Sequence, residues 1–412
     1  MTPGRFTAGI AVVLFLSGCT DRPAPAVTTA RDSAGVHIVE NAAPALEPAM
    51  AWRLDSTPIM EIGAELDHPE RDLNQVAGAY RLHDGRIAIM NAGNSQLMFY
   101  DSTGNWIETV GRQGRGPGEF QSPYGFWRRP GDTLVVFDFQ SRRITILNDS
   151  GGFIRSYMVP SPGRTMFPIP NDIYDDGRLL VNISVFDTAS RTGTYRDPTT
   201  FVSVSREGEF TDTLGIFPGR EMYGATLEFD GRSFPSAAPV PLGGATHAAT
   251  AGQETWVAIN EGYEIRRLDP DGAVELIVRR IMTPVEVQSQ DIERGRALAL
   301  EQLEGSGSGM PEEMRTQLEN RIKEAPYPEQ LAWYSGLMVD DSGYLWVETP
   351  RLPGDFQNAF SVFGEDGYWA CDVTMPERFR PTHIALDHVT GIWRDEDDVE
   401  YVRVYELIRP GA

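Results

Sequence analysis

Six polar side chains recur at one place in a repeating pattern. Asn91, Asp138, Asn182, Asn260, Glu348 and Asp395 each close an apolar run that opens a hairpin. Side chains of this kind have two uses. Short Asn and Asp groups accept backbone N–H bonds and cap the turn they enter. Converging from several repeats, with Asp138, Glu348 and Asp395 supplying charge, they would instead form an oxygen-rich site suited to calcium. A second group is cationic and aromatic. Arg112, Arg115, Tyr195, Arg196 and Arg351, with Phe356, fall in the segments 111–122, 185–199 and 349–359. Gathered on one face they would make a rim for a carboxylated or aromatic partner through forked hydrogen bonds and stacking. Otherwise they pair with neighbouring carboxylates such as Glu119 and Asp355.

Other chemistries lack their residues. No G-x-S-x-G elbow and no H-E-x-x-H pair occurs. The glycine-rich stretch GRQGRGPGEFQSPYGF (111–126) has neither the lysine nor the following helix of a phosphate loop. The histidines are His37, His68, His83, His247, His383 and His388, and none recurs at equivalent positions in successive repeats. A histidine-based zinc site is therefore not expected.

The elements that position these residues are repeated hairpins. GRIAIMNAGNSQLMFYDSTGNWIETVG (85–111) and GDTLVVFDFQSRRITILNDSGGFIRSYMV (131–159) share one plan, and so do segments 177–214, 252–278 and 342–373. Each has an apolar strand, a polar turn, an alternating strand, a tight turn and a third strand. The tight turns read DSTG, NDSG, SREG, DPDG and GEDG, with glycine where a hairpin needs positive φ. Alternation with period two means strands. Antiparallel units of about 40–50 residues are the signature of a β-propeller. Residues 382–408 give a sixth unit with three strands, and Trp52–Gly63 is the segment left to complete it. The expectation is an all-β, six-bladed β-propeller over 51–412, closed by its N-terminal strand, which removes the free sheet edge.

The spacing GxxGxGPGEFxxP before a strand, followed by VVFDFQSRRITIL, resembles the linker and strand pattern of NHL-repeat propellers, with Ser141 where that repeat has Asn. The likeness is specific over 106–156. It implies a propeller and leaves the function open. Peptidyl-hydroxyglycine lyases of this type hold zinc through a histidine after the linker proline, but here Tyr124 follows Pro123. Propeller lactonases resembling gluconolactonase use acidic and Asn ligands, which the polar ring could imitate.

One segment breaks the pattern. Within the insertion 284–328, Ile292, Ala299, Leu300 and Leu303 fit one helical face and Met314, Leu318 and Ile322 another. Pro311, Glu312 and Glu313 suit a helix start. A helical hairpin turning at GSGSG (305–309) is expected, packed on the rim or serving as a lid or partner arm.

The N-terminus specifies location. Residues 1–18 carry one charge, Arg5, and an apolar run from Ala8 to Leu16, as a secretory signal peptide does. Leu16-Ser17-Gly18-Cys19 resembles the bacterial lipoprotein box, which implies cleavage before Cys19 and its acylation. Several acyl chains at about 0.8 kcal/mol per buried methylene give a stable anchor. Residues 19–50, rich in Ala, Pro and Thr, read as a tether, with a short strand at Val36–Glu40. Cys371 is the only other cysteine, so an acylated Cys19 leaves no internal disulfide. With 36 basic against 59 acidic side chains, nucleic acid is not an expected partner. The sequence thus points to a lipid-anchored propeller in the cell envelope, on the periplasmic face or at the outer membrane. It would bind an envelope protein or a small ligand, or else work as a metal-dependent hydrolase or lactonase at the tunnel mouth.

The anchor is open to a direct test. Cys19→Ala is expected to leave a folded protein that moves from the detergent phase to the aqueous phase on membrane fractionation. A mutant that partitions like the wild type would remove the lipid assignment.

Overall fold

The computed structural model describes residues 28–63, 68, 71–163, 166–185, 191–229, 231–306 and 310–410. The leader, Cys19 and the segment 20–27 lie outside the described residues. Six sheets, antiparallel but for one added pair in blade four, form the six blades of a β-propeller. Blade one comprises Val76–Arg81, Ile87–Asn91, Gln96–Tyr100 and Trp106–Val110, and blade two Pro123–Arg129, Thr133–Asp138, Arg143–Leu147 and Phe153–Met158. Blade three has five strands, Met166–Ile173, Leu179–Val185, Gly193–Val204, Phe210–Phe229 and Arg232–Pro239. Blade four begins with His247–Ala251, Glu254–Ala258, Glu264–Leu268 and Val274–Arg280. Blade five is Gly336–Val339, Leu345–Glu348, Gln357–Phe363 and Trp369–Glu377. Blade six is Phe379–Ile384, His388–Arg394, Glu400–Ile408 and, from the other end of the chain, Arg53–Gly63.

The burial of each strand explains its composition. Second strands such as Ile87–Asn91 are buried throughout, because neighbouring blades cover both of their faces. They read as continuous apolar runs for that reason. Outer strands such as Trp106–Val110 are largely exposed. Clusters between blades form the core; Leu97, Phe99, Phe126 and Val136, for instance, join blades one and two. The repeated hairpin glycines Gly104, Gly151, Gly208, Gly272 and Gly367 have φ between 75° and 87°, the left-handed region that only glycine enters freely.

Closure follows the expected route. Arg53–Gly63 pairs antiparallel with Glu400–Ile408, from Tyr401↔Gly63 to Ile408↔Arg53, with register shifts on either side of Tyr405. Just beyond, Arg409 donates to Asp340 of blade five at 2.8 Å and lies over the Trp52 ring at 4.2 Å.

The tether is shorter than the composition implied. Thr29–Ser33 and Val36–Asn41 form a hairpin, and its second strand runs parallel to Val274–Arg280. Val39 is fully buried there. Asn41 donates to the carbonyls of Arg279 and Gly367 and accepts from the Trp369 N–H, so the hairpin ties blade four to blade five. A short stretch, VHIVEN, with two buried apolar side chains and one satisfied amide outweighs the Ala/Pro-rich surroundings.

The insertion is a helical hairpin, with α1 at Ser289–Ser306 and α2 at Glu312–Glu324. Its stem is closed by Val287 N–H to Glu329 and Leu331 N–H to Val285. It stands on the extended arm of blade three, where Arg321 donates to the Tyr223 carbonyl at 3.3 Å. Among the described residues neither helix buries a side chain fully.

These two additions should differ in consequence. Removing residues 53–63 opens the ring and is expected to abolish the cooperative melt. Replacing 289–324 by a short Gly-Ser linker should change the melting temperature by only a few degrees, since stability follows buried apolar area. Similar losses in both thermal melts would refute the closure argument.

Candidate functional site

Two faces of the ring must be distinguished. One carries the linkers between blades, the turns after the second strands and the helical insertion. The other carries the turns between first and second strands. Five of the six residues of the expected polar ring sit at or just beyond the ends of second strands on the linker face, and Asn182 lies within its strand; all are one layer behind the inner strands.

Most of them are spent on the chain itself. Asn91 accepts from the Asn74 N–H and donates to the Asp72 carbonyl. Asp138 accepts from the N–H groups of Gln121, Ser122 and Ser141. Asn260 donates to the carbonyls of Ala245 and Tyr334 and accepts from the Trp333 N–H. Asn182 accepts from the hydroxyls of Ser184 and Thr199, and Asp395 from the N–H groups of Asp397 and Val399. Glu348 is raised in pKa by burial, against the opposing effects of Ser335, Arg351 and Arg380. None of the six lines the tunnel cavity, and no group of three or more His, Cys, Asp or Glu stands close enough to hold an ion among the described residues. The donor set does not fit calcium.

The linker 111–122 is built by the same device. Arg143 donates to the Arg115 and Glu119 carbonyls, and Phe120 is buried between blades one and two. Gly111, with φ 79°, lies where a Cβ would come within 2.7 Å of the Phe120 ring. The expected cationic rim is partly tied down. Arg112 bonds Glu119 at 2.8 Å, and Arg196 donates to the Gly219 and Ile259 carbonyls. Tyr195 stacks under Arg191 and Phe356 under Arg378. Arg115 and Arg351 are exposed. Of the loop 185–199, residues 186–190 lie outside the described residues.

The opposite face holds the larger feature. A cavity of about 1060 Å³ opens there and continues into the tunnel, lined by the inner strands of all six blades. In four of those strands a bulge interrupts the pairing, between Val76 and Gly78, Pro123 and Gly125, Pro170 and Asp172, and Pro381 and His383. Bulges leave one residue unpaired and re-aim its side chain. Ala77, Asn171 and Thr382 are such residues, and all three line the cavity.

A charged network spans its mouth. Arg128 of blade two donates to Asp341 of blade five at 2.9 Å. In a ring of six those blades face each other, so the pair bridges the tunnel. His383 of blade six contacts the other Asp341 oxygen at 2.9 Å. Arg128 also reaches Asp132 at 3.4 Å, and Asp132 in turn holds the His83 ring at 2.7 Å. Burial opposes the charge on Asp341, but His383 and Arg128 outweigh it and lower its pKa. Asp172, which accepts from Thr250, is raised by burial. Of these side chains the sequence brought up only His83 and His383, as histidines without a zinc-site pattern. The available signal was their place just before or within the turn that follows each inner strand, as in WRRPGD and RPTHIALDH.

Comparisons agree on the architecture. A family described as a 6-bladed beta-propeller matches residues 70–172, which are blades one and two and the start of blade three. No curated protein matches the sequence significantly. A member of the DUF4221 family from Bacteroides vulgatus covers 87% of this chain and 99% of its own, with TM-score 0.51 and 10% identity. A Bacteroides fragilis protein covers 89% and 98%, with TM-score 0.44 and 12% identity. A gluconolactonase from Xanthomonas campestris covers 85% and 96%, with TM-score 0.40 and 12% identity. At such identities only the fold is shared, and fold alone does not assign activity.

One inner-strand group gives a pH prediction. His247 opens the first strand of blade four, and burial, with the like charge of Arg220, lowers its pKa to about 4. The unfolded chain takes up this proton near pH 6.5 and the folded chain does not, so stability falls as pH drops through that window. His247→Gln should reduce the loss between pH 7 and pH 5 by on the order of 1–2 kcal/mol. Urea melts at both pH values measure it, and an unchanged difference would remove the assignment.

Proposed function

We propose that this chain is a ligand-binding propeller of the cell envelope, held to the membrane by a lipid on Cys19, with its binding site at the tunnel mouth. The observation that carries this is the cross-tunnel network of Arg128, Asp341 and His383 within a cavity enclosed by all six blades. Concave sites with a few fixed polar groups are the usual form of a small-molecule site. Arg128 and His383 stand on inner strands, Asp341 in the turn after one, and the three are held by one another, which lowers the ordering cost of binding. The linker face, with its exposed Arg115 and Arg351, is the alternative surface for a protein partner. A metal-dependent hydrolase has less support, because the carboxylates and amides expected as ligands are bonded to the linkers and turns.

Native mass spectrometry of the protein from envelope extract provides the test. The wild type is expected to retain a small molecule that Arg128→Ala/Asp341→Ala loses while remaining folded. Arg112→Ala/Arg115→Ala should keep it. If nothing is retained and no metabolite in a thermal-shift library stabilises the wild type, the tunnel-mouth site is wrong.

A further inference from the structure

Below the mouth network the tunnel holds a cation of a different kind. Four arginines line the cavity: Arg128, Arg129, Arg267 and Arg380. Arg128 is paired with Asp341, Arg129 donates to the Asp175 carbonyl at 2.8 Å, and Arg267 meets Glu254 at 3.0 Å. Arg380, second residue of the inner strand of blade six, has no hydrogen bond or ion pair among the described residues. It stands nearer the linker end of the tunnel than His383, which is three residues further along the same strand.

Glu400 and Glu348 favour its charge through space, but neither is bonded to it. Glu400 is engaged by Arg394 at 2.6 Å and by the Val76 N–H at 2.7 Å. Burial and the like charge of Arg394 lower the pKa of Arg380, and a guanidinium nevertheless stays protonated. Burial raises Glu348, the other nearby carboxyl. A chain with 59 acidic against 36 basic side chains has carboxylates in excess, yet this lumen-facing guanidinium, exposed to solvent, is bonded to none. Across the ring, on the opposite blade, Asn171 occupies the bulge of the inner strand. It is exposed to the cavity, and its amide has no partner among the described residues.

We infer that Arg380 is the anchor for an oxyanion, a carboxylate or a phosphate, carried by the small ligand that occupies the tunnel, with Asn171 as a second polar contact from the facing wall. The inference rests on the tunnel being the ligand site. A planar guanidinium offers a two-point fork to either oxyanion, and such charge-assisted bonds are about twice as strong as neutral ones. The ligand enters from the mouth by parting Arg128 from Asp341, and its neutral or cationic end then faces that pair. An anion bound at Arg380 supplies the charge that the fold withholds.

Full-length protein in detergent is titrated with succinate, citrate and inorganic phosphate against sodium chloride at equal ionic strength, followed by melting temperature and calorimetry. At least one of the three should stabilise the wild type beyond chloride. Carboxylate-only or phosphate-only stabilisation identifies the oxyanion. Arg380→Ala should weaken that binding by about 10- to 100-fold. Arg380→Lys should recover part of it, and Asn171→Ala should lose several-fold. Each variant is checked for a wild-type melt in chloride, which the lumen position of both residues leads us to expect. If Arg380→Ala binds as tightly as the wild type, or if no oxyanion outperforms chloride, the assignment is overturned. A neutral molecule retained in native mass spectrometry would overturn it too, while leaving the tunnel-mouth site intact.

Discussion

The pairing of Arg53–Gly63 with Glu400–Ile408 is the constraint on which the rest depends. Five blades are each made from a nearly continuous stretch of chain, but the sixth lacks an outer strand until the N-terminal segment arrives. The contact therefore joins residues about as far apart in sequence as the chain allows, and its loop-closure entropy is offset only by burial around the whole ring. Trp52 and Arg409, side by side just beyond the Arg53↔Ile408 end of this pairing, fix it further. Arg409 lies over the Trp52 ring, which packs edge-on against Tyr344, and bonds Asp340, itself held by the Trp346 indole N–H. Both partners of this ion pair are almost wholly buried. Losing one partner would leave an uncompensated charge in the core, which costs about 3–5 kcal/mol.

Closure is what turns six sheets into a site. An open ring has no opposite wall, so Arg128 could not meet Asp341 and the cavity would drain into solvent. The inner strands also depart from regular pairing where they line the tunnel. Their bulges sacrifice ladder hydrogen bonds and bring Ala77, Asn171 and Thr382 to the lumen. Thr382 then recovers a bond to the Ala79 carbonyl at 2.8 Å, tying blade six to blade one. The linker face shows the opposite arrangement. There, Asn91, Asp138 and Asn260 satisfy linker backbone groups, which makes that face a clamp between blades and explains why its polar residues recur so regularly.

The N-terminal hairpin and the helical insertion show how local sequence signal and packing can differ. VHIVEN reads as a short strand among Ala/Pro-rich neighbours, and Val39 and Asn41 insert it between blades. The helical insertion has the clearer sequence signal and the lighter packing, because its helices follow from their own periodicity and rest on the arm of blade three and the loop at Pro353 and Gly354 of blade five.

The sequence by itself determined the six blades, the positive-φ glycines of their hairpins, the helical insertion and the closing strand. Each of these is written in local periodicity or in a count of strands left unpaired. It also displayed the polar residues of the second strands, whose regular spacing made them conspicuous. Only the tertiary structure decided that those side chains serve the linkers. The repeat as read from the sequence began at the second strand of each blade, so the residues fell one layer behind the tunnel. Arg128, Asp341, His383 and Arg380 carry no recurring spacing. They belong to three different blades, and what unites them is the curvature that brings distant inner strands around one axis, a property of the closed ring that no local pattern encodes.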